Sequence, residues 1–282
     1  MASVYPGYIG IATVSGQKIR CTSFDVNPNQ SFLFYDHVIG LNDTGYIDTD
    51  STKGETPGTR QTQKRIGRPS TREISGSFGF PAAVEKNDNK NLKFLLDAAK
   101  NGNYLGNIVF SYYCEKTRQF NDCRINTFQF EIVSSDSVKL DISVFAKGVE
   151  DIAPETFPPY DTSQKLITWD KVVVTGDVGD EIVGINYQIN NNLSNIYTNA
   201  SLDPYDIRAG MQEVTGSISI YIPSGKTYIP TSGGESKLSI TSPAGLSTDL
   251  TVVFQPDRMS ASVGPVITEL PFVCVEPYFG NV

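Results

Sequence analysis

The chain has 282 residues, 39% hydrophobic and 19% charged, with 24 Gly, 16 Pro and 11% aromatics. That length suits two domains, and the mixture excludes disorder and coiled coil in favour of many short strands joined by turns. A formal net charge of −8 and a pI near 4.8 exclude a protein built to grip phosphate backbones, which needs clustered Lys and Arg.

The chain opens on MASVYPGYIGIATVSGQK, without a basic leader or a continuous apolar run. No stretch approaches the ~18 apolar residues of a membrane-spanning helix, so the expectation is a protein made and kept in a cytosol, with no membrane partner. Residues 17–41 read as two strands around the turn NPNQ at 27–30. The stretch 42–69 follows, rich in Gly, Thr, Asp and Pro and poor in large apolar residues. Long loops of this kind are uncommon in compact domains unless they have a task.

The strand STREISGSFGFP comes next, with Ile74, Gly76, Phe78 and Phe80 on one parity and Glu73, Ser75, Ser77 and Gly79 on the other. Strict alternation means one buried face. Leu92, Leu95, Leu96 and Ala99 recur at helical spacing over 91–100, with Asn89 or Asn91 to cap the start and Gly102 to end it. Strands are predicted at 104–115, 123–134 and 137–147. In the second, Phe128, Phe130 and Ile132 alternate with Thr127, Gln129 and Glu131. The acidic, proline-bearing stretch 148–165 reads as a linker.

Beyond it the pattern restarts. Two strands flank TGDVGD, a loop covers 190–209, and QEVTGSISIYI repeats the earlier alternating strand. Further strands are predicted near 236–242, 248–255, 258–263 and 268–276. Glu73, Gly76 and Ser77 align with Glu213, Gly216 and Ser217 at one constant offset, and the order of predicted elements matches on either side of the linker. An Arg opens a late strand in each half (Arg124, Arg258), and each half closes on an alternating strand with a Leu (Leu140, Leu270). We read an internal duplication of an all-β domain: 1–150, a linker at 151–165, and 166–282.

Little in the sequence supports catalysis. His37 is the single histidine and falls in a predicted strand, and there is no G-x-S-x-G elbow. The stretch 48–59 resembles a calcium loop only in part: Gly54 falls at position 7 and Thr59 at position 12, where an EF-hand needs Gly at 6 and Glu at 12. Cys21, Cys114, Cys123 and Cys274 lack zinc spacing, so no metal and no cofactor is expected. Cys114 is read as a reduced core thiol, with a bridge to Cys123 as the alternative.

The run Lys53, Arg60, Lys64, Arg65, Arg68 and Arg72 stands out in an acidic chain. It suits a self-complementary contact with Asp177, Asp180 and Glu181 or with the acidic linker, or a plain solvated loop; nucleic-acid binding is a third reading, set back by the lack of interleaved aromatics. The short polar residues Ser75, Ser77, Thr215, Ser217 and Ser219 suit a channel lumen, a subunit seam or an ordinary solvated sheet face. Tandem copies of one fold often stand in for two subunits of a ring, which predicts a trimer with pseudo-sixfold symmetry.

The Trp169-Asp170 opening, the Asn190–Leu193 run ending at Tyr197 and the G-x-Q-E-V-T-G-S strand at 210–217 resemble the tail tube proteins of long-tailed bacteriophages. The first half is similar through 71–80, the 91–100 helix and its closing strands. The resemblance implies β-sandwich or barrel domains, the first with a flanking helix, whose sheets join into an inner barrel. It further implies trimeric rings stacked into a tube in the virion tail, assembled in the host cytoplasm, with DNA passing through at ejection. Its implied partners are further copies, a tail terminator, baseplate or tip and tape-measure proteins, and a sheath if the tail contracts. The insertion at 42–66 would reach the adjacent ring. Two other readings stay open: a duplicated surface-binding adhesin or decoration module, using Tyr112, Tyr113, Tyr221 and Tyr228, and the tube of a contractile injection apparatus.

Overall fold

A computed structural model of the chain describes residues 9–36, 65–84, 92–112, 117–153, 165–176, 181–223, 234–255 and 266–275. Among them the protein is mostly β, built on one large antiparallel sheet with one short α-helix. In the first half, β1 (Gly10–Val14) and β2 (Gln17–Cys21) form a hairpin, and β3 (Ser23–Asp36) runs against β4 (Arg65–Pro81). After the short β5 (Ala83–Val84) come α1 (Lys93–Asn101), β6 (Tyr104–Tyr112), β7 (Thr117–Val133), β8 (Lys139–Phe145) and β9 (Gly148–Ile152). The second half holds β10 (Lys165–Leu166), β11 (Val173–Gly176), β12 (Ile182–Asn190), β13 (Ser194–Ile196) and β14 (Asp206–Arg208). It ends with β15 (Glu213–Ile222), β16 (Glu235–Thr241), β17 (Thr248–Phe254) and β18 (Val266–Cys274).

The partners fall in the same order twice. In the first half each strand pairs with the next along β3-β4-β8-β7-β6-β1, and in the second along β12-β15-β18-β17-β16-β11. The halves are not separate sheets. The far part of β7 pairs with β12, Phe130 opposite Tyr187, so one sheet runs through both. The predicted tandem arrangement is not evident as two separate bodies, since a single hydrophobic core also spans them.

Strand β7 makes this possible by changing partners along its length. Thr117–Asn121 pairs with β9, and Thr117–Arg124 with β6. Past a register shift between Ile125 and Thr127, the strand carries β8 on one edge and β12 on the other. A bulge of this kind bends a strand. Rings from the two parts then meet in the core: Phe110 of β6 lies 5.8 Å from Phe78 of β4 and 5.2 Å from Phe120, both edge-on. Such pairs add about 0.5–1.5 kcal/mol each beyond their burial.

Helix α1 buries Leu95, Leu96, Ala98 and Ala99 and ends at Gly102 with φ 62°. Its start differs from expectation: Leu92 is the N-cap, with no side-chain cap. Its C-terminal carbonyls are satisfied from the other half. The Asn191 amide donates to Ala99 O at 3.0 Å and Ile125 O at 2.9 Å, and Gln212 Nε2 donates to Ala99 O and Lys100 O, both at 3.0 Å. Leaving one such buried carbonyl unpaired costs about 1–3 kcal/mol, so this amide pair ties the helix to the joint between the halves.

Four further expectations are corrected. The NPNQ stretch is no turn; β3 passes through it, with Pro28 opposite Ile74. The strands around TGDVGD are not partners, because β11 pairs with β16 while β12 pairs with β15 and β7. The chain crosses between two parts of the sheet there. The expected loop 190–209 contains the β13–β14 ribbon. The expected linker begins in sheet, since β9 pairs with β7. Strand β1, pairing with β6, was not foreseen. Cys21, Cys123 and Cys274 are buried and form no disulfide, which leaves no bridge at Cys123. Cys114, His37, Arg258, the calcium-like stretch 48–59 and the strand expected at 258–263 lie outside the described residues.

Candidate functional site

Because opposed residues of an antiparallel pair share a face, the registers define one long open face. Its rows run Asp25–Ser77–Ser143–Thr127–Asn190–Glu213 and Gly79–Asp141–Gln129–Gln188–Thr215. A third runs Pro81–Lys139–Glu131–Asn186–Ser217–Pro271. The opposite parity (Phe78, Ile142, Phe128, Tyr187, Ile218 and Leu270) is fully buried. The alternation read from sequence therefore sorts core from open face over both halves. Glu73, Ser77, Glu213 and Ser217 all sit on the open face, as do Ser75, Thr215 and Ser219.

Charge on this face is one-sided. Among the described residues its rows through β3, β4, β8, β7, β12, β15 and β18 carry Asp25, Glu73, Glu131, Asp141, Glu213 and Glu269, against Lys139 in the open and Arg124 and Lys147 at the end that the β13–β14 ribbon covers. Lys139 Nζ is itself bound to Asp136 at 2.7 Å, and that hydrogen bond holds the Asp136 carboxyl below its ordinary range. Partial burial of Asp141 acts the other way and raises its carboxyl. Between the acids lies a band of neutral groups at the β7–β12 seam. Thr127 and Ser143 share a hydroxyl hydrogen bond of 2.6 Å, Asn186 Oδ1 accepts from Ser217 N at 3.1 Å, and Ser217 Oγ donates to Glu269. The seam amides Gln129, Gln188, Asn186 and Asn190 were not singled out from sequence. Alternation in VGINYQIN would have revealed them.

The two aligned glycines stand at one structural place. Gly76 faces Val26 and Val144, and Gly216 faces Tyr187 and Phe272. A Cβ on Gly76 would come within 3.0 Å of the Phe120 ring and 3.2 Å of Asp25 O. A Cβ on Gly216 would meet Asn186 O, with Phe272 Cζ at 2.5 Å and Tyr187 Cα at 2.9 Å. No register shift falls at either glycine, so close approach, not a bulge, accounts for both.

One end of the first half is covered by the second. The ribbon β13–β14 lies over Tyr104, Arg124 and Lys147. Arg124 Nη1 donates to Ile207 O at 2.5 Å, Tyr104 OH donates to Asp206 at 2.8 Å, and Lys147 lies 3.7 Å from Asp206. Arg124 and Lys147 also sit over the Tyr104 ring. Nearby, Arg72 pairs with Asp203 at 3.4 Å and donates its N–H to Leu202 O. Asn126, at the bulge of β7, accepts Asn191 N and Leu193 N.

Most of the predicted charged contact falls outside the described residues. Lys53, Arg60, Lys64, Asp177 and Asp180 lie outside the described residues. Arg65 and Arg68 are in β4, opposite Asp36 and Leu33 of β3. Glu181 is half-buried, and its carbonyl accepts Tyr221 N at 2.8 Å. A cleft of about 210 Å³ lined by Pro28, Arg72, Arg118, Val149 and Asp151 offers no free cation, since Arg118 pairs with Asp151 at 3.1 Å and Arg72 with Asp203. Among the described residues no three potential metal ligands cluster, and no helix is long and apolar enough to cross a membrane. A protein-family model described as "Phage tail tube protein" matches residues 9–273. No curated protein matches the chain.

Proposed function

The chain belongs to the phage tail tube protein family, and from that premise we propose that it forms a conduit for DNA whose bore is lined by the acidic open face. The family is structural, not enzymatic, and implies assembly of copies into a tube in the virion tail. The observation that carries the proposal is the face itself: six carboxylates and a band of hydroxyls and amides against one uncovered lysine, the cations Arg124 and Lys147 lying under the β13–β14 ribbon. DNA presents dense negative charge. At physiological salt, charges are screened beyond ~8 Å, so the carboxylates act on a strand at the wall. They prevent sticking, which is what fast passage needs.

The repeated strand order and the equivalent glycines support an internal duplication, with units at 1–150 and 166–282 joined through 151–165. Each unit contributes four strands to the bore: β3, β4, β8 and β7 from one, β12, β15, β18 and β17 from the other. Within the chain, β7 of the first unit pairs with β12 of the second. The equivalent step between chains joins β17 of one copy to the outer edge of β3 in the next, an edge that has no strand partner among the described residues. Such a head-to-tail contact closes a ring, and three copies complete a pseudo-sixfold one. Rings stack into the tube. Lys53, Arg60, Lys64, Arg65 and Arg68, with Asp177, Asp180 and Glu181, are candidate contacts between copies, within a ring or between rings. The tube's ends meet terminator and tip proteins, and its bore holds the tape measure until ejection.

Electron microscopy with native mass spectrometry of concentrated protein tests this. The expected result is a trimer whose ring averages show six lobes modulated threefold. A monodisperse monomer that binds glycans supports the adhesin reading instead and overturns this one.

A further inference from the structure

The repeated strand order identifies a surface that no segment covers among the described residues, and its occupant. In the first half, the row Asn27–Ser75–Phe145–Arg124–Tyr104 ends beneath the β13–β14 ribbon. The matching row in the second half is Gln188–Thr215–Val273–Val253–Glu235. Val275, bonded through its N–H to Thr251 O, takes the place of Lys147, whose N–H donates to Asn121 O. Where the first half shows Tyr104, Arg124 and Lys147 under the β13–β14 ribbon, with Phe145 in the same row, the second shows Glu235, Val253 and Val275, with Val273 in that row. Val273 is 39% exposed and Val275 44%.

The covering chain in the first half is the connection between β12 and β15. Its counterpart by strand order is the connection between β3 and β4, residues 37–64. We infer that the Val253–Val273–Val275 patch docks residues 37–64 of a second copy, the next one around the ring. This rests on the ring reading above. Intrachain, β12 and the ribbon that follows it lie together on the first half. Interchain, β3 of the next copy would lie on β17, and the chain that follows it falls on the matching patch.

The chemistry of the two seams is complementary in opposite senses. The intrachain patch is cationic and aromatic, and its cover supplies Asp203 and Asp206. The interchain patch is apolar with an acid at Glu235. The 37–64 stretch supplies Val38, Ile39, Leu41, Tyr46 and Ile47, with Lys53, Arg60 and Lys64 for the acid. The destination differs from the adjacent ring that the resemblance implies for this insertion: it lies within the same ring.

The test places a photo-crosslinking benzoylphenylalanine at position 273 in the full chain and mixes it with isotope-labelled copies. Unstacked rings are isolated before irradiation. Crosslinked peptides joining 273 to 37–64 of a different copy are expected. Crosslinks to 37–64 of the same copy, or to any other segment or protein, overturn the inference, as do rings that form without any crosslink. If native mass spectrometry of the same sample shows no ring at all, the ring reading fails and takes this inference with it. As a second arm, V273D/V275D, with an unchanged circular dichroism spectrum, should raise the concentration needed for rings at least about tenfold, equivalent to ~1.4 kcal/mol. Unchanged ring assembly by that variant overturns the inference.

Discussion

At the scale of single residues, Gly76 and Gly216 decide how closely neighbouring strands pack. Overpacking a filled core costs about 1–3 kcal/mol. Gly216→Ala puts a methyl against Asn186 O and Tyr187 Cα, which are backbone and cannot swing away. Gly76→Ala meets a ring edge and a carbonyl at distances that a small shift relieves. Chemical denaturation should therefore find Gly216→Ala the more destabilising, toward the upper end of that range. Equal stability of both variants and wild type contradicts the close-approach explanation. Sequence aligned the two glycines but did not show why they are there, because the atoms that exclude a side chain come from strands distant in the chain. Pro28 misled for a related reason. Ile74 spends its carbonyl on Ala146 N, toward β8, so Pro28 opposite it directs its missing N–H to the outer edge of β3. A proline is tolerated in such an edge position, and no local pattern separates that from a turn.

At the scale of elements, the helix and the alternating strands were legible because each carries its own periodicity. Partners were not. The stretch flanking TGDVGD reads as a hairpin, yet β11 and β12 find different neighbours, since pairing depends on where the chain crosses between parts of the sheet. The β13–β14 ribbon escaped notice because six residues of strand give too little alternation to recognise. Its hold on the first half is polar and depends on pH. The hydrogen bond from Tyr104, then that from Ile207 N–H and the charges of Lys147 and Arg124, hold the Asp206 carboxyl below its ordinary value. A depressed carboxylate stabilises above its unfolded pKa, about 3.9, and the contribution is lost as pH falls through the lower folded value. Hydrogen exchange, corrected for intrinsic rates, should show the ribbon losing protection relative to β15 as the pH is lowered below the unfolded carboxylate value of about 3.9. Asp206→Asn should flatten that dependence. Ribbon protection that falls no faster than that of β15 as acid is added, down to the pH at which the sheet itself opens, contradicts the account.

At the scale of the whole molecule, the seam between the halves is the informative feature. Residues such as Thr127, Gln129 and Glu131 announced an open face on their own strand. Only the β7–β12 register shows that the face continues through Asn186, Gln188 and Asn190 into the second half. A net charge of −8 is a property of the chain; the placing of six carboxylates on one sheet face is a property of the fold. The central claim is that this face lines the bore. A cryo-electron microscopy map of the assembled tube at side-chain detail measures it directly. The account predicts three copies per ring with Asp25, Glu73, Glu131, Asp141, Glu213 and Glu269 turned to the channel. A bore lined by lysines and arginines, with that face turned outward or buried against a neighbour, would contradict it.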